Sequence, residues 1–220
     1  MSNRLAIFDC DGTLVDSQAN ICVAMEQAFA AARLALPPRE ATRRVVGLSL
    51  VEAMRELHPA GEAALHLRLA EDYKAAFQAQ RAAGAVHEPL FDGIGQCIDA
   101  LDAAGWLLGV ATGKSDRGLA CVLDEHAMAG RFVTLHTADR HPSKPHPAMI
   151  EACMADAGAI PANTAMIGDT SFDMAMAKAA GVVAIGVAWG YHAPHDLSAA
   201  GADIVVERPA DLFDALENLQ

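Results

Sequence analysis

No part of this sequence is apolar for long enough to cross a bilayer. The longest such runs, of which VVAIGVAW is one, fall far short of the ~20 residues a spanning helix needs. No basic run exceeds Arg43-Arg44, and the formal net charge is −12. Nucleic acid and anionic membrane are therefore excluded as partners over most of the surface. No C-x-x-C pair occurs among the five cysteines, Cys10, Cys22, Cys97, Cys121 and Cys153. An odd, dispersed set reads as free thiols, buried as small hydrophobes in a reducing compartment, so the expected location is cytoplasmic. The chain reaches Asp9 and Asp11 before an apolar signal region could form, and no secretory signal is expected. Nine histidines include no H-x-x-x-H spacing and no cysteine partner, which argues against zinc. Repeats and low-complexity tracts are also missing.

What remains is an ordinary globular composition, 53% hydrophobic and 20% charged over 220 residues. It is enough for one domain with an insert or two modest domains. From Arg4, LAIFD reads as a short buried strand that breaks at Asp-Gly-Thr. After Asp16-Ser17, plausible N-caps, the spacing of Cys22, Met25, Phe29, Ala32 and Leu36 predicts an amphipathic helix stopped by Pro37-Pro38. Helical spacing continues through Val51–Leu57 and through Leu65, Leu69, Tyr73 and Phe77. From Pro89 onward helices and strands alternate: a helix ended by Gly105 then WLLGVA, a helix at Leu119–His126 then RFVTL, a helix ended by Gly158 then TAMIG, and a helix ended by Gly181 then VVAIGV. This is the pattern of a parallel sheet with helices on both faces. The expected fold is α/β, with a Rossmann-like core made of residues 1–14 and 89–220. A small all-helical cap, residues 15–88, is inserted after the first strand.

In open α/β sheets ligands bind beyond the carboxyl ends of the strands, where strand order reverses. Here those ends carry Asp9, Thr112 and Asp169. In Asp9-Cys10-Asp11 the two carboxylates share a side and Cys10 faces away. Mutual repulsion is expected to leave one of them protonated beside an anionic nucleophile. The same Asp-x-Asp-Gly is equally a turn signal. Asp169 at a strand end and Asp173 one helical turn later can face one point, although Asp173 also suits a helix N-terminus. Up to four carboxylates in one crevice call for a divalent cation, and all-oxygen ligands suit Mg²⁺. Thr112 and Gly113, opening a helix, form a potential phosphate cradle. Gly113-Lys114-Ser115 resembles the tail of a P-loop, but Leu108 stands where the first glycine is required. Lys114 then reads as an exposed lysine near a helix start. Lys144, one of four lysines and flanked by proline-stiffened turns, can neutralise a phosphoryl oxygen or can simply be solvated.

Taken in order, FDCDGTLVDS, VATGKS, SKPHP and IGDTSFDM resemble the four motifs of the haloacid dehalogenase superfamily. The insert is similar to a subclass I cap. The resemblance implies Asp9 as nucleophile and Asp11 as general acid/base, with Thr112, Gly113 and Lys144 at the phosphoryl group. It implies Mg²⁺ held by Asp169, Asp173, Asp9 and the backbone carbonyl of Asp11. Departures within the superfamily are informative. Asp11 argues against 2-haloacid dehalogenase chemistry, and the stretch from Arg39 to His58 holds no lysine for a phosphonatase Schiff base. Ile21 and Leu50 stand where β-phosphoglucomutases carry histidine and arginine. A phosphoglycolate-phosphatase-like hydrolase remains, an affinity that Trp189-Gly190-Tyr191 supports. Its expected partner is a small phosphorylated metabolite, and its expected state a monomer or homodimer. A phosphomutase and a non-catalytic binding or regulatory protein are the alternatives.

Overall fold

The computed structural model describes residues 3–218. Six parallel strands form one sheet: β1 (Asn3–Phe8), β2 (Leu107–Thr112), β3 (Thr134–Thr137), β4 (Ala159–Gly168), β5 (Val183–Val187) and β6 (Ile204–Val206). Their order in space is β3-β2-β1-β4-β5-β6. The chain moves outward from β1 in one direction and then in the other, so the switch point lies between β1 and β4. At that point Phe8 pairs with Ile167 and with Val110.

Alternation along each strand sorts the core onto two faces. Ala6, Phe8, Leu108, Val110 and Ile167 pack with α5 (Ile94–Ala103), α6 (Asp116–Glu125) and α10 (Pro209–Glu217). Leu5, Ile7, Ala111 and Met166 pack with α7 (Ala148–Ala157), α8 (Ser171–Ala180) and, through Leu197, α9 (Pro194–Ala199). Gly105, Gly158 and Gly181 all take positive φ at helix ends, as predicted. Between β1 and α5 lie only helices: α1 (Gln18–Ala31), α2 (Arg39–Arg44), α3 (Leu50–Leu57) and α4 (Ala63–Ala82). They share a separate apolar cluster centred on Met25, Phe29, Met54 and Leu69. Among the described residues no helix is long and apolar enough to cross a membrane.

Three expectations change. The first long helix ends at Ala31, well before Pro37-Pro38: Arg33 takes φ 58°, and Leu34 N–H donates back to Phe29 O at 3.0 Å. That left-handed closure releases Leu36 into solvent, where it is 55% exposed. Ser17 does precede α1 but does not cap it, because its hydroxyl is committed to Asp11. RFVTL contributes only its end to the sheet, with β3 opening at Thr134.

Candidate active site

Asp9 follows β1, Thr112 ends β2 and Asp169 follows β4. The adjacency of these strands brings the three positions to one crevice. Asp173 sits in the first turn of α8, and its two oxygens have different tasks. Oδ2 closes a capping box with Thr170, accepting from its N–H at 3.0 Å and its hydroxyl at 2.7 Å. Oδ1 accepts from Lys144 Nζ at 2.6 Å. Asp173 thus caps α8 with one oxygen and faces Lys144 with the other.

Asp9, Asp169 and Asp173 are fully buried or nearly so, and one carboxylate oxygen from each lies within 4.8 Å of the others. Lys144, 1% exposed, is the one cation among the described residues in contact with this group, with Nζ 2.9 Å from Asp9 Oδ2. That approach is an ion pair without hydrogen-bond alignment, and Asp9 Oδ2 has no hydrogen-bond partner among the described residues. Oδ1 of Asp9 accepts from Cys10 N–H at 2.7 Å. Asp169 accepts from the Thr13 hydroxyl and from Tyr191 N–H, each at 2.9 Å. It fits because Gly12 and Gly190 flank it: a Cβ at either glycine would fall on its carboxylate.

The electrostatics show what the group lacks. Burial lifts the Asp9 carboxyl to about 6; Lys144 pulls it down and Asp173 pushes it up. Burial, then Asp9 and Asp173, drives Asp169 well above the carboxylate range. Burial opposes the charge on Lys144, but Asp173 and Asp9 outweigh it and hold the ammonium protonated. Three buried acids against one base leave an excess of negative charge. The oxygen-only donor set, and an Asp9 oxygen that accepts no hydrogen bond among the described residues, fit a hard divalent cation.

Asp11 departs from expectation. Its carboxylate stands outside the acidic group, held by Ser17 Oγ and by Lys114 Nζ at 2.6 Å. After burial, Asp173 is the acid that lifts Asp9 most, and the near neighbour Asp11 adds less. Lys114 is no exposed lysine: its side chain is 8% exposed and also pairs with Glu88 at 3.0 Å. Burial works against its charge, yet Asp11 and Glu88 keep it protonated. Glu88, fully buried, is in turn bound by Arg81 of α4 at 2.6 Å. A chain of alternating charge thus runs from α4 to Asp11. Glu88, Thr13 and Tyr191 gave no sign of these contacts in the sequence. Lys114 carried a positional signal, directly after the strand-end Thr112-Gly113, but nothing that identified its partners.

Thr112 is buried and its hydroxyl accepts from Lys114 N–H at 3.2 Å. Gly113 lies under the loop after α2: a Cβ there would come within 2.5 Å of Gly47 O. Ser49 N–H donates to Ser143 Oγ at 2.8 Å. The helical segment therefore rests directly on the strand-end loops. Between them is a cavity of about 300 Å³ that reaches Asp11, Gly113 and Lys114.

A family profile described as haloacid dehalogenase-like hydrolase matches residues 6–187. The Dickeya dadantii protein named Probable phosphatase IndB is 35% identical, across 98% of this chain and 94% of its own length. A phosphoglycolate phosphatase from Chromobacterium violaceum is 32% identical, across 98% and 97%. The crystal structure of a predicted phosphatase from Clostridium acetobutylicum superposes with a TM-score of 0.89 at 22% identity, covering 99% of this chain and all of that one. A hydrolase structure from Pseudomonas syringae gives 0.83 at 24% identity, covering 99% of each chain. At those identities the structures speak for the fold.

Proposed function

The chain belongs to the haloacid dehalogenase-like hydrolase family as a hydrolase of phosphoric monoesters, and from that premise we propose that it is a Mg²⁺-dependent phosphatase acting through an aspartyl phosphate on Asp9. The observation that carries this reading is the buried group Asp9, Asp169 and Asp173 with Lys144 as the only base in contact with it among the described residues. In the proposed reaction a carboxylate oxygen of Asp9 attacks phosphorus, and the bond from phosphorus to the alcohol oxygen breaks in line. Asp11 enters as the neutral acid, released from its ion pair with Lys114, and gives its proton to the leaving alkoxide, becoming the carboxylate. Asp11 then takes a proton from water as that water attacks the phosphorus, and the bond to Asp9 breaks to release phosphate. Lys144 and the Thr112-Gly113 turn meet the phosphoryl oxygens.

Asp169, Asp173 and Asp9 would hold the cation, with the Asp11 carbonyl as a further ligand. Bound there, Mg²⁺ offsets negative charge on the transferring group. Residues 15–88 act as a cap over this centre, excluding water while phosphorus is in transit. The small phosphorylated metabolite that enters is screened by the cap, and the relatives named phosphoglycolate phosphatase make glycolate phosphate the reference substrate.

The test is phosphate release with Mg²⁺ by the wild type and by Asp9→Asn. The variant is expected to lose about 10³-fold or more in kcat while melting within a few degrees of wild type. Activity surviving in a folded Asp9→Asn protein, or persisting in excess chelator, sinks the scheme.

A further inference from the structure

We propose that the ester this protein hydrolyses carries a bulky, mainly apolar alcohol, aromatic rings included, rather than a two-carbon acid. The inference rests on the phosphatase reading and concerns only what lies beyond the ester oxygen. The cavity under the helical segment, open on one side, has a volume of about 300 Å³ and starts at Asp11, Gly113 and Lys114, the residues of the strand-end loops that neighbour Asp9 and Thr112 in the chain. Even at a water's liquid share of about 30 Å³ for each non-hydrogen atom, the CH2COO⁻ group that a glycolate places beyond its ester oxygen leaves more than half of that space unfilled.

The walls indicate what the rest would be. Ile21 and Met25 of α1, Val45, Leu50 of α3, and Tyr73 and Phe77 of α4 line the space. The rings of Tyr73 and Phe77 have centroids 6.0 Å apart and are tilted by 35°, an arrangement that offers ring faces and edges to a flat guest. Burying a carboxylate among such walls costs free energy unless an uncommitted cation meets it. The cations here are mostly committed: Lys114 to Asp11 and Glu88 at 2.6 and 3.0 Å, Arg81 to Glu88 at 2.6 Å, Lys74 to Glu71 at 2.9 Å. Arg117 also lines the cavity, exposed and without an ion-pair partner among the described residues. It can serve a polar edge of the guest but does not change the character of the space.

A panel of esters with the same kind of leaving atom, a primary alkoxide, isolates this effect from chemistry: ethyl, butyl, hexyl and 2-phenylethyl phosphate against 2-phosphoglycolate, by phosphate release with Mg²⁺. kcat/KM is expected to rise about four-fold per methylene until the cavity is full. 2-Phenylethyl phosphate should exceed 2-phosphoglycolate by about ten-fold or more. Ala53→Leu and Leu50→Phe, which narrow the cavity from α3, should each lower the ratio of kcat/KM for 2-phenylethyl over ethyl phosphate. A flat series, or 2-phosphoglycolate as the better substrate, overturns the proposal and leaves the phosphatase reading standing. A steep series with ratios unmoved in both variants overturns the assignment to this cavity. No release from any ester removes both readings.

Discussion

Lys114 and Lys144 sit on either side of the same crevice, each bound to two carboxylates, yet they face different problems. Lys144 moderates a group with too many acids for one base; Lys114 is balanced between Asp11 and Glu88. Removing Lys114 would leave the Asp11 carboxylate with the Ser17 hydroxyl but no cation, and Glu88 with Arg81 alone. Lys114→Met is therefore expected to destabilise the fold by about 3–5 kcal/mol in urea titration. Lys114→Met/Glu88→Gln should recover part of that loss, because one buried charge goes with its partner. A single variant as stable as wild type would show that the pair is solvated in solution. Neither contact was legible in the sequence. Lys114 stands 103 residues from Asp11 and 26 from Glu88, and no local pattern encodes which buried acids a lysine will meet.

At the scale of elements, periodic apolar spacing located β1, β2, β4, β5 and the long helices, since one-sided burial leaves a repeat in the sequence. Short elements leave no such trace. β6 is three residues of moderate burial, and α2 and α9 have six residues each. Besides its ladder to β5, β6 is tied down by its neighbour Asp203, which accepts from Ala184 N–H at 2.9 Å and from Lys178 Nζ of α8 at 2.7 Å. Desolvation pushes Asp203 up, but these two donors outweigh it and hold its carboxyl below the ordinary 3.8. The folded state therefore binds the proton less readily than the unfolded chain. The resulting stability is present above pH 3.8 and lost as pH falls through the lower folded-state value. Asp203→Asn should cost about 0.5–1.5 kcal/mol at neutral pH, measured by urea denaturation, with solvent screening favouring the lower end. Wild type and variant should converge in acid. A difference that persists undiminished below pH 3 would assign the effect to something other than the charge.

For the whole molecule, the outcome that matters is that the helical segment meets the strand ends. Arg44 O lies 3.2 Å from His192 Nε2, Ser49 reaches Ser143, and the Gly47 loop covers Gly113. These contacts close the site over three buried carboxylates whose mutual repulsion works against the folded state. A cation that binds the native group alone should relieve that repulsion. Mg²⁺ at about 100 times its dissociation constant is expected to raise Tm by roughly 5–10 °C, from about 2.7 kcal/mol of linkage spread over a chain of this size. Asp169→Asn should shrink that shift. An unchanged melting curve with Mg²⁺, or an equal shift in the variant, would place the cation elsewhere.

The sequence by itself determined the α/β alternation, the helical insert after the first strand, and the acids and hydroxyl at the strand ends, because each is written in short-range spacing. Strand-end positions converge whatever the details, since parallel strands that share a sheet present their carboxyl ends to one side. Only the tertiary structure decided the partners of each charge. Asp11 turned to Lys114, Asp173 more than Asp11 raised the Asp9 carboxyl, and Gly12 and Gly190 made room for Asp169. Burial and pairing energies depend on which distant segments exclude water from a charge, and that is a property of the packed chain rather than of any stretch of it.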